Sequence, residues 1–222
     1  MHNETEQALR NLQLIFMGKI LAGFTHEMKN YLAIIKESSG LMQDLISMGK
    51  SSSKKDAQPL VPSLQLIDEQ IDRSIHILNH LNRFAHRMDR PSSSFLVHDI
   101  LDELMVLMSR FANQKKIILE KDFQKNIPAI ISDPARLQCL IYCLIEEKLN
   151  RLDAGSKITL QTSSSKDHIL IRLVPKGTTL NKETENGLPS HEVLQEIIRD
   201  LHGEIAHEKN EEITIKLPLS QE

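Results

Sequence analysis

The chain has 222 residues, 40% of them hydrophobic and 26% charged, with no Trp and a formal charge of −3 from 27 basic and 30 acidic side chains. That balance, with aromatics at 4%, argues against a nucleic-acid binder, which carries a basic surplus and, for single strands, stacking rings. No uncharged run reaches the roughly eighteen residues of a bilayer span, and the opening residues lack a signal peptide's charged-then-apolar order, so neither membrane insertion nor secretion is expected.

Residues 4–47 read as one long helix. No proline interrupts it, only Gly18, Gly23 and Gly40 lower its propensity, and Leu14, Met17, Leu21, Phe24, Met28, Tyr31, Leu32, Ile35, Met42 and Leu45 recur at three-four spacing. A polar loop over 49–62 leads to a second helix, 63–88. Ser63 is its expected N-cap, with Leu64, Ile67, Ile71, Ser74, Ile75, Leu78, Leu81 and Phe84 on one stripe. At 1.5 Å per residue these helices are roughly 65 and 40 Å long. Two such helices cannot cover one another's apolar stripes in water, whereas a two-fold doubling gives a four-helix bundle that can. A homodimer through residues 1–90 is therefore expected; the competing arrangement is a monomer whose second half packs on the hairpin.

Arg90-Pro91-Ser92-Ser93-Ser94 reads as a hinge into a second unit, 91–222. There the pattern predicts a helix over 95–113, strands over 117–123 and 129–131, and a helix capped by Asp133 and running to about residue 152. A β-hairpin follows (157–162 with 168–174), then a helix over 190–201 ending at Gly203, and a last strand pair, 204–207 with 213–217. Helices layered on an antiparallel-rich sheet make the fold class α+β. Cys139 and Cys143, four apart in an apolar run, fit core packing in a reducing cytoplasm. His76 and His80 lack partners at ligand spacing and read as solvent-facing, so no metal site is expected.

The most informative segment runs Met17-Gly18-Lys19-Ile20-Leu21-Ala22-Gly23-Phe24-Thr25-His26-Glu27-Met28-Lys29-Asn30-Tyr31-Leu32. It resembles the phosphoacceptor box of sensor histidine kinases, in which a long dimer helix carries His-Glu-x-x-Asn-Pro-Leu. His26, Glu27, Asn30 and Leu32 match, and Tyr31 departs where that family commonly has proline. A phosphoryl-accepting imidazole has to be exposed, neutral and nucleophilic at one nitrogen, and a carboxylate holding the proton of the other nitrogen fixes the tautomer. Glu27 is the expected carboxylate. Asn30 lies one turn on from His26, and the resemblance gives it the orientation of a dephosphorylating water.

Asp133-Pro134-Ala135-Arg136-Leu137-Gln138, followed by an apolar helix and Gly155-Ser156-Lys157-Ile158, resembles the ATP-binding domain of the same family. An ungapped alignment puts Cys143 and Glu147 where the family has its two asparagines, the second of which holds Mg²⁺. Pro175 replaces the carboxylate that receives the adenine amino group, with Gly177 retained and Thr179 in place of the next glycine. Of the glycine-rich phosphate loop only Gly187 survives. A missing buried hydrogen-bond partner costs about 1–3 kcal/mol, and amides cannot approach phosphate closely without such glycines. The ending, His202-Gly203 and then a strand closing on Leu217-Pro218, is kept.

The resemblance thus implies a dimeric helical hairpin with a degenerate histidine-kinase ATPase-like α/β sandwich, similar to bacterial phosphotransferases that keep this bundle beside a vestigial ATPase domain. The expected function is a cytoplasmic histidine phosphotransferase relaying phosphoryl groups between receiver-domain aspartates through His26, with Glu27 and Asn30 assisting. Its partners are response-regulator receiver domains, which supply Mg²⁺; the chain needs no cofactor of its own, and ATP is not expected. The alternatives are an active kinase lacking its own sensor domain, a response-regulator scaffold, and a receiver phosphatase using Asn30. Gly23, Lys29, Tyr31, Ala33, Asn82 and His86 are the expected docking residues.

Overall fold

The computed structural model describes residues 2–48, 60–89, 91–178 and 190–219. Helices α1 (His2–Ser47) and α2 (Leu60–His86) form a hairpin, and α1 runs unbroken, as expected without a proline. Ser63 caps nothing: α2 already runs from Leu60, and Ser63 is buried inside it.

The buried line of each long helix is largely not the stripe picked out by the spacing, with Phe84 common to both. On α1 the buried line is Leu9, Leu12, Phe16 and Ile20; on α2 it is Ser63, Gln70, Ile77 and Phe84, at seven-residue intervals. Leu14, Leu21 and Leu32 of α1 and Leu64, Ile71, Ile75 and Leu78 of α2, expected to be interior, are exposed. Periodicity finds a stripe but does not say what will cover it; whatever packs against the helix decides which face is buried. Here the second half packs. Phe16 meets Tyr142 at a centroid distance of 4.5 Å and Phe84 edge-on at 5.3 Å. One hydrophobic core therefore continues from the hairpin into the rest of the chain, which is the packing of the competing monomer, although it covers only one face of each helix.

The expected hinge is partly a strand. β1 (Ser93–Phe95) pairs antiparallel with β3 (Ile130–Ser132), Ser93 opposite Ser132 and Phe95 opposite Ile130, so α3 (Val97–Gln114) starts beyond the residue predicted for it. Arg90, like most of the 49–62 loop, lies outside the described residues. The larger sheet has the order β2-β4-β5-β7-β6: β2 (Ile118–Phe123), β4 (Lys157–Ser164), β5 (His168–Lys176), β7 (Ile213–Pro218) and β6 (Glu204–His207). β2 runs parallel to β4 and every other pair is antiparallel. Ile158, Leu160 and Thr162 on β4, Ile169, Ile171 and Leu173 on β5, and Ile213, Ile215 and Leu217 on β7 alternate into the core. That two-residue period supplies one buried face for α3, α4 (Pro134–Arg151) and α5 (His191–Asp200), giving the expected α+β sandwich.

Candidate functional site

His26 is exposed on α1, and its Nδ1 lies 3.2 Å from Asn30 Nδ2. The helix makes that contact, because residues four apart stack on one face. Glu27 points elsewhere. Successive helical side chains are about 100° apart around the axis, so with His26 facing solvent Glu27 falls in the seam against α3. There its Oε1 lies 3.6 Å from Arg110 Nε. Tyr31 lies one turn on from Glu27: burial first, and then the Glu27 carboxylate that its phenol meets, raise its pKa above the ordinary tyrosine value. The carboxylate expected to hold the ring of His26 is thus engaged by other groups, and Asn30 stands beside the ring instead.

Gly23 makes the seam possible. A Cβ on it would lie 2.8 Å from Phe111 Cζ, so only a glycine lets the Phe111 ring lie against α1 here. Gly23 is accordingly buried and not the surface residue predicted for docking, whereas Lys29, Ala33, Asn82 and His86 are exposed and Tyr31 is half-buried. Sequence reasoning missed Arg110 and Phe111 altogether; nothing in their spacing links α3 to the His26 turn.

The described residues at the positions matched to the nucleotide site are engaged within the protein. Cys143 is buried, and the neighbouring Cys139 thiol together with burial pushes its pKa well up, so it offers an inert thiol at the position of the first asparagine. Glu147 pairs with Arg151 at 3.1 Å and with the buried Lys148 at 3.7 Å, while Glu211 bonds both cations, at 3.3 Å to Lys148 and 3.2 Å to Arg151. Its carboxylate is therefore committed within the protein. Pro175 sits in β5 opposite Ile158 and has no side-chain acceptor for an adenine amino group. Thr179 and Gly187 lie outside the described residues.

What survives of the ATPase-like motifs has structural reasons. Asp133 accepts from Arg136 N at 2.9 Å and caps α4, with Pro134 at its first turn, and Arg136 pairs with Asp200 of α5. Gly177 has φ +147°, and a Cβ there would lie 2.1 Å from Ser156 Oγ. At Gly203 a Cβ would come within 2.8 Å of the Lys216 carbonyl oxygen.

A cleft of about 880 Å³ opens between the hairpin and α3/β2, with Tyr31, Arg73, His76, Asp102 and Lys121 among its lining residues. His76 and His80 meet edge to face at 4.6 Å. His80 is not solvent-facing as expected: it is partly buried, and that burial first, then His76, lower its pKa. Among the described residues no three His, Cys, Asp or Glu side chains are grouped to hold a metal ion.

Fold and motifs together define a histidine-kinase-like core, a helical hairpin joined to an ATPase-like sandwich. No family model matches the chain. Its sequence is 22% identical over 178 residues to the sensor histidine kinase ZraS of Salmonella typhi, covering 79% of this chain and 37% of ZraS. It is 21% identical over 217 residues to the adaptive-response sensory kinase SasA of Microcystis aeruginosa, covering 94% of this chain and 52% of SasA. The chain thus spans only part of the length of the curated relatives it matches. Over 59% of its length its fold is similar to that of the catalytic domain of histidine kinase ThkA, with a TM-score of 0.52 at 14% identity and 97% of that domain covered. In sequence and in fold the chain is thus similar to two-component sensor histidine kinases. Among the described residues no helix is long and apolar enough to cross a membrane.

Proposed function

We propose that this chain is a cytoplasmic histidine phosphotransferase that relays phosphoryl groups between receiver-domain aspartates through His26. One juxtaposition carries the reading: an exposed, hydrogen-bonded imidazole on an unbroken helix, beside an ATPase-like fold with Cys143, Glu147 and Pro175 at its nucleotide positions. Transfer between an aspartyl phosphate and an imidazole needs alignment and charge neutralisation more than elaborate machinery. The receiver supplies the aspartate and its Mg²⁺, and this chain supplies the ring and the groups around it. ATP takes no part.

The exposed lines of Leu14, Leu21 and Leu32 and of Leu64, Ile71, Ile75 and Leu78 support a second copy of the chain as the partner that covers the hairpin. Contiguous apolar stripes of this kind mark an association surface.

The test is a labelling experiment. Incubated with a phosphorylated receiver domain, the purified protein acquires a base-stable, acid-labile phosphoryl label, and His26→Gln loses it. Label acquired from ATP, in a preparation free of other kinases, overturns the reading.

A further inference from the structure

The contacts around His26 carry an inference about how its ring is prepared, and it rests on the reading of His26 as the phosphoacceptor. Arg110 comes from α3, in the ATPase-like half, yet its guanidinium lies 3.6 Å from Glu27, with the two side chains 16% and 22% exposed. Beside it the neighbouring Phe111 ring lies against Gly23, where a Cβ would stand 2.8 Å from Phe111 Cζ. Tyr31, where the resembling family commonly has proline, adds its phenol to the same carboxylate. Glu27 is therefore engaged from two sides in the seam, on a different face of the helix from the imidazole. The group beside His26 Nδ1 is the Asn30 carboxamide, at 3.2 Å.

We propose that Arg110 is a positioning residue of the phosphoacceptor turn: it retains Glu27 in the seam between the two halves, and control of the His26 tautomer passes to Asn30. A carboxamide can serve either tautomer, because its two ends are a donor and an acceptor of nearly the same shape. With Nδ2 donating to Nδ1, the ring proton sits on Nε2 and no lone pair faces a receiver. With the amide turned over, Oδ1 accepts from Nδ1–H and the Nε2 lone pair points outward. In the transfer step that pair forms the N–P bond while the bond from phosphorus to the aspartyl oxygen breaks, and its electrons leave with the receiver's carboxylate. The ring carries the resulting positive charge, its Nδ1–H still bonded to Asn30, until that proton passes to water. An amide cannot accept the proton as a carboxylate can, so Asn30 orients the ring without acting as its base.

NMR of the ring nitrogens in the full chain, above neutral pH, reads the tautomer ratio with no receiver present. The outcome is therefore separate from whether phosphoryl transfer occurs. The arrangement in the structure, Nδ2 beside Nδ1, favours the tautomer protonated at Nε2, so Asn30→Ala is expected to lower the proportion of that tautomer to the other about threefold or more, the scale of one hydrogen bond, while Glu27→Gln leaves the ratio unchanged. Arg110→Met releases Glu27, so in that background Glu27→Gln does change the ratio, and Arg110→Lys restores the wild-type value. A ratio that moves with Glu27→Gln while Arg110 is in place, or that ignores Asn30→Ala, overturns the proposal.

Discussion

Two helices carry this chain's family-like motifs, and they have diverged in opposite ways. On α1 the two polar motif residues that meet stay at the surface, His26 with its ring beside Asn30, while Glu27 turns into the seam with α3. On α4 the corresponding positions have turned inward, Cys143 into the core and Glu147 into ion pairs with Lys148 and Arg151. The residues retained around α4 are those the fold itself requires, such as the Asp133 cap and the close approaches at Gly177 and Gly203. A family-like residue with a structural role of its own therefore has a reason to be present whatever the chain binds.

That contrast can be broken or sharpened by measurement, in descending order of effect. The seam between the two helices comes first. Phe16 is fully buried between Tyr142 and Phe84, so Phe16→Ala is expected to cost about 3–5 kcal/mol in urea unfolding; a cost below roughly 1 kcal/mol would mean that the halves do not share a core. Gly177→Ala forces a side chain onto a φ of +147° and into Ser156, for an expected loss of about 1–3 kcal/mol by the same assay. An unchanged midpoint would remove the structural reason given for that glycine. Asp133→Ala removes a cap and should cost about 1 kcal/mol, whereas Asp133→Asn, also a good capping residue, should retain most of it.

The smallest effect is in pH. Burial first holds the pKa values of His80 and His98 below 6.5. Just below that pH the unfolded chain binds more protons than the folded one, so stability falls as the pH drops through this window. Unfolding measured along a pH series should show that slope, and a double variant, His80→Gln with His98→Gln, should flatten it.

Much of this was legible locally. The absence of proline after Glu4 specifies one long helix, Asp133-Pro134 marks the start of α4, and the alternation along β4 and β5 specifies strands with one buried face. The box around His26 could be read directly, because an i,i+4 pair on a helix is a neighbour whatever else the chain does. The strand at Ser93–Phe95 was not legible, since a serine run has no pattern of its own and becomes a strand only when Ile130–Ser132 lies alongside.

By itself, then, the sequence determined the long helices and the main-sheet strands, their order and the residues sharing the turn of His26, all of them consequences of backbone geometry over a few residues. Only the tertiary structure decided which face of each long helix is buried, and that Glu27 faces Arg110. Those outcomes depend on surfaces contributed by segments far apart in the chain, and a periodic pattern carries no information about which distant surface will meet it.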